Sequence, residues 1–145
     1  MTALEHSEME SVRVRTENLI HMPSGLLGFE NLKRFVLLNN AEEAPFSWLQ
    51  VIDDPSLAFL VLSPFEAVPE YQPEITDDDA AHLELKKSED ALIYNIVTIR
   101  PGNATINLKG PIVINRFTLR GKQVVLQNAS KWDVRHPLPL ATESF

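Results

Sequence analysis

Cysteine is absent from this chain of 145 residues, and long apolar runs are absent as well. Without cysteine the protein can form no disulfide and has no thiolate to serve as a nucleophile or a metal ligand. A membrane-spanning helix needs roughly 20 consecutive apolar residues, and no run in the chain approaches that length. The N-terminal residues are acidic and lack the apolar core of a secretory signal. These absences predict a cytoplasmic protein that does not enter a membrane.

Residue patterns typical of enzymes and metal sites are missing too. No serine occupies a Gly-x-Ser-x-Gly elbow, and Gly25-Leu-Leu-Gly28 precedes no P-loop lysine, so a tight structural turn is favoured there. Asp77-Asp78-Asp79 lacks the alternating ligands and the glycine of a calcium loop. The four histidines lie too far apart for a pair at helical or strand spacing: His6, His21, His82 and His136. The sequence therefore predicts no catalytic residue, no cofactor and no metal, while a site assembled from distant residues stays an alternative.

Short apolar segments separated by turn signals make up most of the chain, whose 44% hydrophobic and 23% charged residues are typical of a globular protein. Turns are predicted at Asp53–Ser56, Arg100–Asn103 and Arg120–Lys122, where aspartate, proline or glycine interrupts the apolar residues. The predicted strands are Val12–Thr16, Leu19–His21, Arg34–Leu38, Trp48–Ile52, Leu57–Leu62, Leu92–Ile99, Thr105–Lys109, Ile112–Leu119 and Gln123–Gln127. Such closely spaced strands predict an all-β, mainly antiparallel fold, a small β-barrel-like domain with one or two short helices.

One short helix is predicted after Thr76. Threonine is a good N-cap residue, and Asp79 stands at the capping-box position three residues later. Three consecutive aspartates in the first turn would stabilise the helix, because their negative charges lie at the positive end of the helix dipole. The helix is expected to end near Leu83–Leu85.

Residues 1–145 are expected to form a single domain, because no internal repeat or linker divides the chain. Neither end, 1–10 or 140–145, offers a periodic apolar face, so both are predicted to be mobile. The predicted core consists of the inward-facing residues of several strands: Phe59, Val61, Ile96, Ile106, Leu108, Val124 and Leu126.

Charge is distributed unevenly along the chain, whose formal net charge is −7. Between Glu66 and Asp90 nine acidic residues face only two lysines, whereas the charged residues after Asp90 are mostly basic. Charges at the rim of an interface raise the association rate of a charged partner, so Glu70, Glu74 and Glu84 are predicted to steer a basic protein. The alternative is a solvated face with acids that favour a helix start. The acidic net charge argues against direct nucleic-acid binding.

Segment 104–115 carries the clearest strand pattern. Ile106 and Leu108 alternate with polar residues, as in a half-buried strand. Gly110-Pro111 interrupts the pattern, and because proline has no N–H the hydrogen-bond ladder must break, bulge or reach a sheet edge there. The following Ile112-Val113-Ile114 is uniformly apolar, which predicts a strand covered on both faces or lying at a crowded corner.

A partner-binding surface is predicted on the outer face of two neighbouring strands. In the second of these strands Val124 and Leu126 belong to the core side, which leaves Val125 outside between two glutamines. In the first strand, either Val113 or its flanking isoleucines would point away from the core. The predicted surface comprises Asn107, Lys109, Pro111, Ile112, Val113, Asn115, Gln123, Val125 and Gln127. The alternative is that the short helix or the C-terminal tail covers this face.

Residues 107–115 have the pattern Asn-Leu-x-x-Pro-Ile-Val-Ile-Asn, which resembles the core motif of the flagellar assembly factor FliW family. Further segments resemble this family in the same order along the chain: Gly25–Glu30, Phe35–Leu38, Trp48–Gln50, Asp54-Pro55, Ala58-Phe59, Pro64-Phe65, Tyr71 and Arg135–Leu138. The chain departs from the family pattern at isolated positions. Val51, Gly110 and Trp132 stand where a small polar residue, an alanine and a tyrosine are usual. The resemblance covers nearly the whole chain.

The resemblance implies a β-barrel-like fold with one or two small helices and a non-enzymatic role in the bacterial cytoplasm. Members of the family bind newly made flagellin, through its C-terminal region, and the translational repressor CsrA. Flagellin binding releases the repressor, so flagellin synthesis responds to the flagellin that awaits export. For this chain the resemblance implies these two partners. A monomer is the expected oligomeric state. From the residues alone, a small-molecule-binding β-barrel and, as the weaker rival, an enzyme stay open.

Overall fold

The computed structural model describes residues 18–138. Within this range the chain is mostly extended and contains one short α-helix, α1 (Asp77–His82). The strands are β1 (Ile20–His21), β2 (Arg34–Asn39), β3 (Phe46–Val51), β4 (Ala58–Leu62), β5 (Ala91–Arg100), β6 (Asn103–Ile106), β7 (Ile112–Asn115), β8 (Gly121–Gln123) and β9 (His136–Pro137). No helix in this range is long and apolar enough to cross a bilayer. The predicted strand Val12–Thr16 and the predicted mobile ends, 1–10 and 140–145, lie outside the described residues.

The sheet is antiparallel throughout its named strands and runs in the order β1-β2-β3-β4-β5. On its other edge the long strand β5 pairs with both β6 and β7. Strand β6 then pairs with β9, and β7 pairs with β8. An isolated bridge from His21 to Arg120, with the His21 N–H donating to the Leu119 carbonyl at 3.0 Å, brings β1 against the start of β8. The sheet therefore curls almost into a barrel, which confirms the predicted all-β, antiparallel, barrel-like fold.

Strands β6 and β7 follow the same edge of β5, and the break between them lies at Gly110-Pro111. Val97 pairs with Ile106 and Tyr94 pairs with Ile112, so three residues along β5 correspond to six along its partner. The Asn107 side-chain oxygen accepts hydrogen bonds from the Lys109 and Gly110 N–H groups, each at 3.1 Å. The predicted interruption of the ladder is confirmed, and Asn107 holds its loop.

Two apolar cores lie on opposite faces of the β5–β7 region. The barrel core fills the inside of the curled sheet and includes Ile20, Met22, Leu26, Phe35, Leu49, Val51, Val61, Ile112 and Ile114. The helix-side core lies on the other face and includes Val68, Tyr71, Leu83, Val97, Ile106, Leu108, Val113, Val124 and Leu126. Because side chains alternate along a strand, β7 sends Ile112 and Ile114 into the barrel core and Val113 into the helix-side core. This confirms that β7 is covered on both faces.

Most of the predicted core is confirmed. Val61, Ile106, Leu108, Val124 and Leu126 are all buried. The two other predicted core residues, Phe59 and Ile96, pack against the barrel core but are only half-buried.

The predicted helix is confirmed in place and length. Its first turn is capped by Thr76, whose hydroxyl oxygen accepts a hydrogen bond from the Asp79 N–H at 3.1 Å. The Asp79 carboxylate instead pairs with the Lys122 ammonium at 2.6 Å, which ties α1 to β8. The first residue after the helix, Leu83, is fully buried in the helix-side core.

The predictions were wrong between Asn115 and Gln127. Strand β7 ends at Asn115 because the side-chain oxygen of that residue accepts hydrogen bonds from the Phe117 and Thr118 N–H groups, at 2.8 and 3.2 Å, and so begins a turn. The turn predicted at Arg120–Lys122 therefore lies earlier, and Gly121 and Lys122 belong to β8. Strand β8 ends at Gln123, so no regular strand spans 123–127.

Candidate protein-binding surfaces

Most of the predicted partner-binding surface is buried. Pro111, Ile112, Val113, Asn115 and Gln123 are all inaccessible in the folded chain, so the prediction that they form an exposed outer face is wrong. Of the two covers that the sequence left open, the helix region lies on this face, because Leu83, the first residue after α1, packs with Val113 in the helix-side core. A hydrogen bond also joins β7 to this segment: the Asn115 Nδ2 donates to the Leu83 carbonyl at 2.8 Å.

The exposed part of that prediction is called the Val125 surface and consists of Lys109, Val125 and Gln127. All three are exposed, and the Val125 side chain retains 61% of its accessible area. The Gln127 N–H donates to the Glu74 carbonyl at 2.7 Å, so this surface adjoins the acidic segment. Asn107, two residues before Lys109 in the sequence, is half-buried. Partner binding by these residues stays a prediction.

The acidic segment, residues 66–90, exposes most of its carboxylates and is anchored by buried residues. Glu70, Glu74 and Glu84 are exposed, whereas Tyr71 and Leu83 are buried in the helix-side core. The three predicted steering carboxylates are thus accessible to solvent and held on an anchored segment. Their steering role stays a prediction.

Tyr71 fastens this segment to the sheet. Its hydroxyl donates to the Leu108 carbonyl at 2.7 Å and accepts from the Asn95 side-chain amide at 3.3 Å. The Tyr71 and Trp132 rings meet edge to face with centroids 4.8 Å apart. Burial raises the pKa of Tyr71 to about 12, because the ionised phenolate would lose its hydration.

A second surface, the apolar groove, was not predicted from the sequence. It has a volume of about 360 Å³ and lies beside the Gly25–Glu30 turn and the C-terminal half of β5. The apolar side chains that line it include Leu27, Phe29, Phe59, Ile96 and Val134. Three of them are unusually accessible for large apolar residues: Leu27 is 57% exposed, Phe29 44% and Val134 53%.

A glycine turn sets one wall of the apolar groove. Gly25 has φ +64, and a side chain there would place its Cβ 2.6 Å from the Phe29 carbonyl oxygen, so only glycine fits. Hydrogen bonds between Leu26 and Phe29 close the turn and push Leu27 and Phe29 outward. The Glu30 carboxylate accepts a hydrogen bond from the Gly28 N–H at 3.0 Å, and this lowers the pKa of Glu30. The interpretation of the glycine pair as a structural turn is confirmed.

Gln123 lines the apolar groove and holds its glycine turn in place. Its side-chain oxygen accepts a hydrogen bond from the Leu27 N–H at 2.9 Å, and its Nε2 donates to the Gly110 carbonyl at 2.9 Å. The residue therefore ties the glycine turn to the break between β6 and β7. Predicted from the sequence as a contact residue, it is buried and positions the exposed Leu27 instead.

Sequence reasoning missed the apolar groove because its lining residues come from several distant parts of the chain. One signal was available in the glycine turn. Turns are usually rich in polar residues and glycine, but this one contains the large apolar residues Leu27 and Phe29. Val134, an isolated apolar residue between Asp133 and Arg135, is a second such signal. Neither signal shows by itself that the three residues meet.

Comparisons with known proteins agree with one another. A sequence model of the family described as FliW protein matches residues 3–138. "Flagellar assembly factor FliW" of Geotalea uraniireducens is 41% identical over 121 residues, which cover 82% of this chain and 73% of that protein. The protein of the same name from Treponema denticola is 36% identical over 132 residues, 90% of this chain and 88% of its own length.

A solved structure gives the same result for the fold. The crystal structure described as that of the flagellar assembly factor FliW superposes with a TM-score of 0.79 at 32% sequence identity, covering 87% of this chain and 89% of that one. The similarity therefore covers most of both chains rather than one motif. By its sequence and by its fold, the chain belongs to the FliW family.

Proposed function

We propose that this protein is a cytoplasmic, non-enzymatic flagellar assembly factor that binds flagellin, through the flagellin C-terminal region, and the translational regulator CsrA. Binding of flagellin displaces CsrA, which then represses flagellin synthesis, so translation follows the amount of flagellin awaiting assembly. The name of the relatives, flagellar assembly factor, supports the flagellar role. The two partners are those that the FliW resemblance implies.

Exposed apolar surface is the observation that carries a protein-binding role. The groove presents Leu27, Phe29 and Val134 to solvent together, and a contiguous apolar patch on a small globular protein marks a protein contact. Val125 is exposed at a second place. Phe35, Leu49 and Ile112 of the barrel core are each at most 1% exposed, so side chains fill the inside of the curled sheet.

CsrA is assigned to the Val125 surface on grounds of charge. That surface adjoins the acidic segment through the Gln127–Glu74 hydrogen bond, and an acidic rim raises the association rate of a basic RNA-binding protein. Exposed Glu70, Glu74 and Glu84 supply the negative potential. An apolar contact at Val125 with acidic surroundings is the arrangement expected of an interface with a polar rim.

Competition between the partners tests the proposal. Purified full-length protein is titrated with CsrA by isothermal calorimetry, first alone and then after saturation with flagellin monomer. We expect binding to CsrA in the first titration and a strong loss of binding in the second. Bovine serum albumin in place of flagellin is the control for nonspecific displacement. Absence of binding to either partner would remove the proposed function, and simultaneous undiminished binding would remove the displacement step.

A further inference from the structure

We propose that the apolar groove docks a protein segment that presents large apolar side chains next to carboxylates. This inference rests on the proposed function only in taking flagellin as the first partner to be tested. Leu27, Phe29 and Val134 are exposed and line the same groove, whose volume is about 360 Å³. Covering them removes apolar area from water, which is the usual driving force for docking.

Charge selects the kind of segment. The charged residues that line the groove are Arg100, at the end of β5, and Arg135, just before β9, although the chain as a whole has a net charge of −7. Both salt bridges found among residues 18–138 involve other groups. The carboxylate of Glu30, which follows Phe29, accepts a hydrogen bond from the Gly28 N–H. A guanidinium binds carboxylate oxygens through two parallel hydrogen bonds, so the groove suits an acidic occupant.

The groove is also preformed, which reduces the ordering cost of binding. Phe29 meets Phe59 edge to face with ring centroids 5.3 Å apart. The Leu27 N–H is held by Gln123, which is itself held by the Gly110 carbonyl. An arriving segment therefore meets apolar side chains that are already placed by the fold.

Nuclear magnetic resonance and calorimetry of the full chain with a peptide from the flagellin C-terminus test the docking site. We expect the peptide to shift the amide resonances of Leu27, Thr98 and Val134. Two variants change the groove: Val134→Asp and Arg135→Glu. Two matched controls, Ile99→Asp and Lys131→Glu, change residues that are also exposed but do not line it. The groove variants should bind at least tenfold more weakly, and the controls should stay within about twofold of the wild type.

The outcomes separate this inference from the proposed function. If flagellin binds but its shifts centre on Val125, and Val134→Asp binds like the wild type, the groove proposal is overturned while the proposed function stands. If flagellin does not bind, the proposed function fails, and two synthetic peptides with one apolar sequence flanked by glutamates or by lysines test the groove alone. Groove shifts with the glutamate peptide only support the proposal, and equal or absent shifts overturn it.

The chain's own C-terminal segment is the remaining candidate occupant. Residues 139–145 contain Leu140, Glu143 and Phe145, which also combine apolar side chains with a carboxylate. The full-length variant Phe145→Asp, measured without peptide, distinguishes this case. Unchanged groove resonances support an external partner, and a change confined to Leu27, Thr98 and Val134 would show that the chain covers its own groove.

Discussion

The outer face of β7 and the apolar groove are built on the same curled sheet, yet one is covered and the other is open. Val113 on β7 is fully buried, because Leu83 and its neighbours after α1 lie over it. Phe29 in the groove remains 44% exposed. Both sites are rich in apolar residues. The comparison shows that apolar content does not decide exposure, which depends on whether a segment remote in sequence packs over the strand.

The covering segment is anchored at several points. Val68, Tyr71 and Leu83 enter the helix-side core, and the Asp79–Lys122 ion pair joins α1 to β8. Over the groove, the described residues provide only its walls and its floor. Changes at Ile106 and Leu83 on the covered side are expected to have the largest effects, and changes at the exposed acidic residues the smallest.

The largest effect is expected from Ile106→Asp, in the helix-side core. Ile106 is fully buried, and an unpaired buried carboxylate costs several kcal/mol against a total stability of roughly 5–15 kcal/mol. We expect the domain to unfold or to melt far below the wild type in circular dichroism. An unchanged melting temperature would contradict the assignment of Ile106 to the core.

Leu83→Ala should weaken the cover without introducing charge. Removing a fully buried leucine side chain costs about 2–5 kcal/mol, through lost burial and the cavity that remains. Chemical denaturation should show this loss, whereas the exposed Leu27→Ala should change stability by less than about 1 kcal/mol. Equal stability of the two variants would mean that the segment after α1 does not hold the β7 face.

Val125→Arg tests the Val125 surface. The folded chain keeps an arginine at this position in water, so the melting temperature should change little, but an interface would bury the charge without a counter-ion. CsrA affinity should fall at least tenfold, about 1.4 kcal/mol, in calorimetry. Full binding by this variant would place the CsrA contact elsewhere.

High pH should loosen the anchored side through Tyr71. Because burial raises the pKa of Tyr71 from 10.0 to about 12, its stabilising contribution is complete below pH 10 and is lost as the pH rises towards 12. Burial also raises the pKa of Tyr94, so part of the loss belongs to that residue. The melting temperature of Tyr71→Phe should fall less steeply over this pH range than that of the wild type. Parallel curves would remove Tyr71 as the cause.

The smallest effect on affinity is expected from the triple reversal of Glu70, Glu74 and Glu84 to lysine. Charges at a rim act mainly on the rate of encounter. Stopped-flow association with CsrA should slow, and its dependence on salt should weaken, while dissociation changes little. A constant association rate and salt slope would leave the acidic segment as a solvated face.

Local residue patterns were enough to predict much of this protein. Alternating apolar residues identified most of the strands, Thr76 with its aspartates identified α1, and the missing N–H of Pro111 identified the break in the ladder. These features depend on backbone geometry and on neighbours a few residues away. The turn before β8 was misplaced because glycine at position 121 signals flexibility, while the hydrogen bonds that make the turn come from Asn115.

Tertiary structure decided which apolar faces meet solvent. From sequence, the run Ile112-Val113-Ile114 was compatible with a covered strand or with an exposed patch, and only the packing of Leu83 onto β7 selects between them. In the same way, Leu27 and Val134 become one groove only because the sheet curls and brings the ends of the described chain together. Composition and periodicity are local properties and therefore determine the strands, the helix and the turns. Burial is a property of surfaces brought together from distant segments, so the covered face and the open groove emerge only in the folded chain.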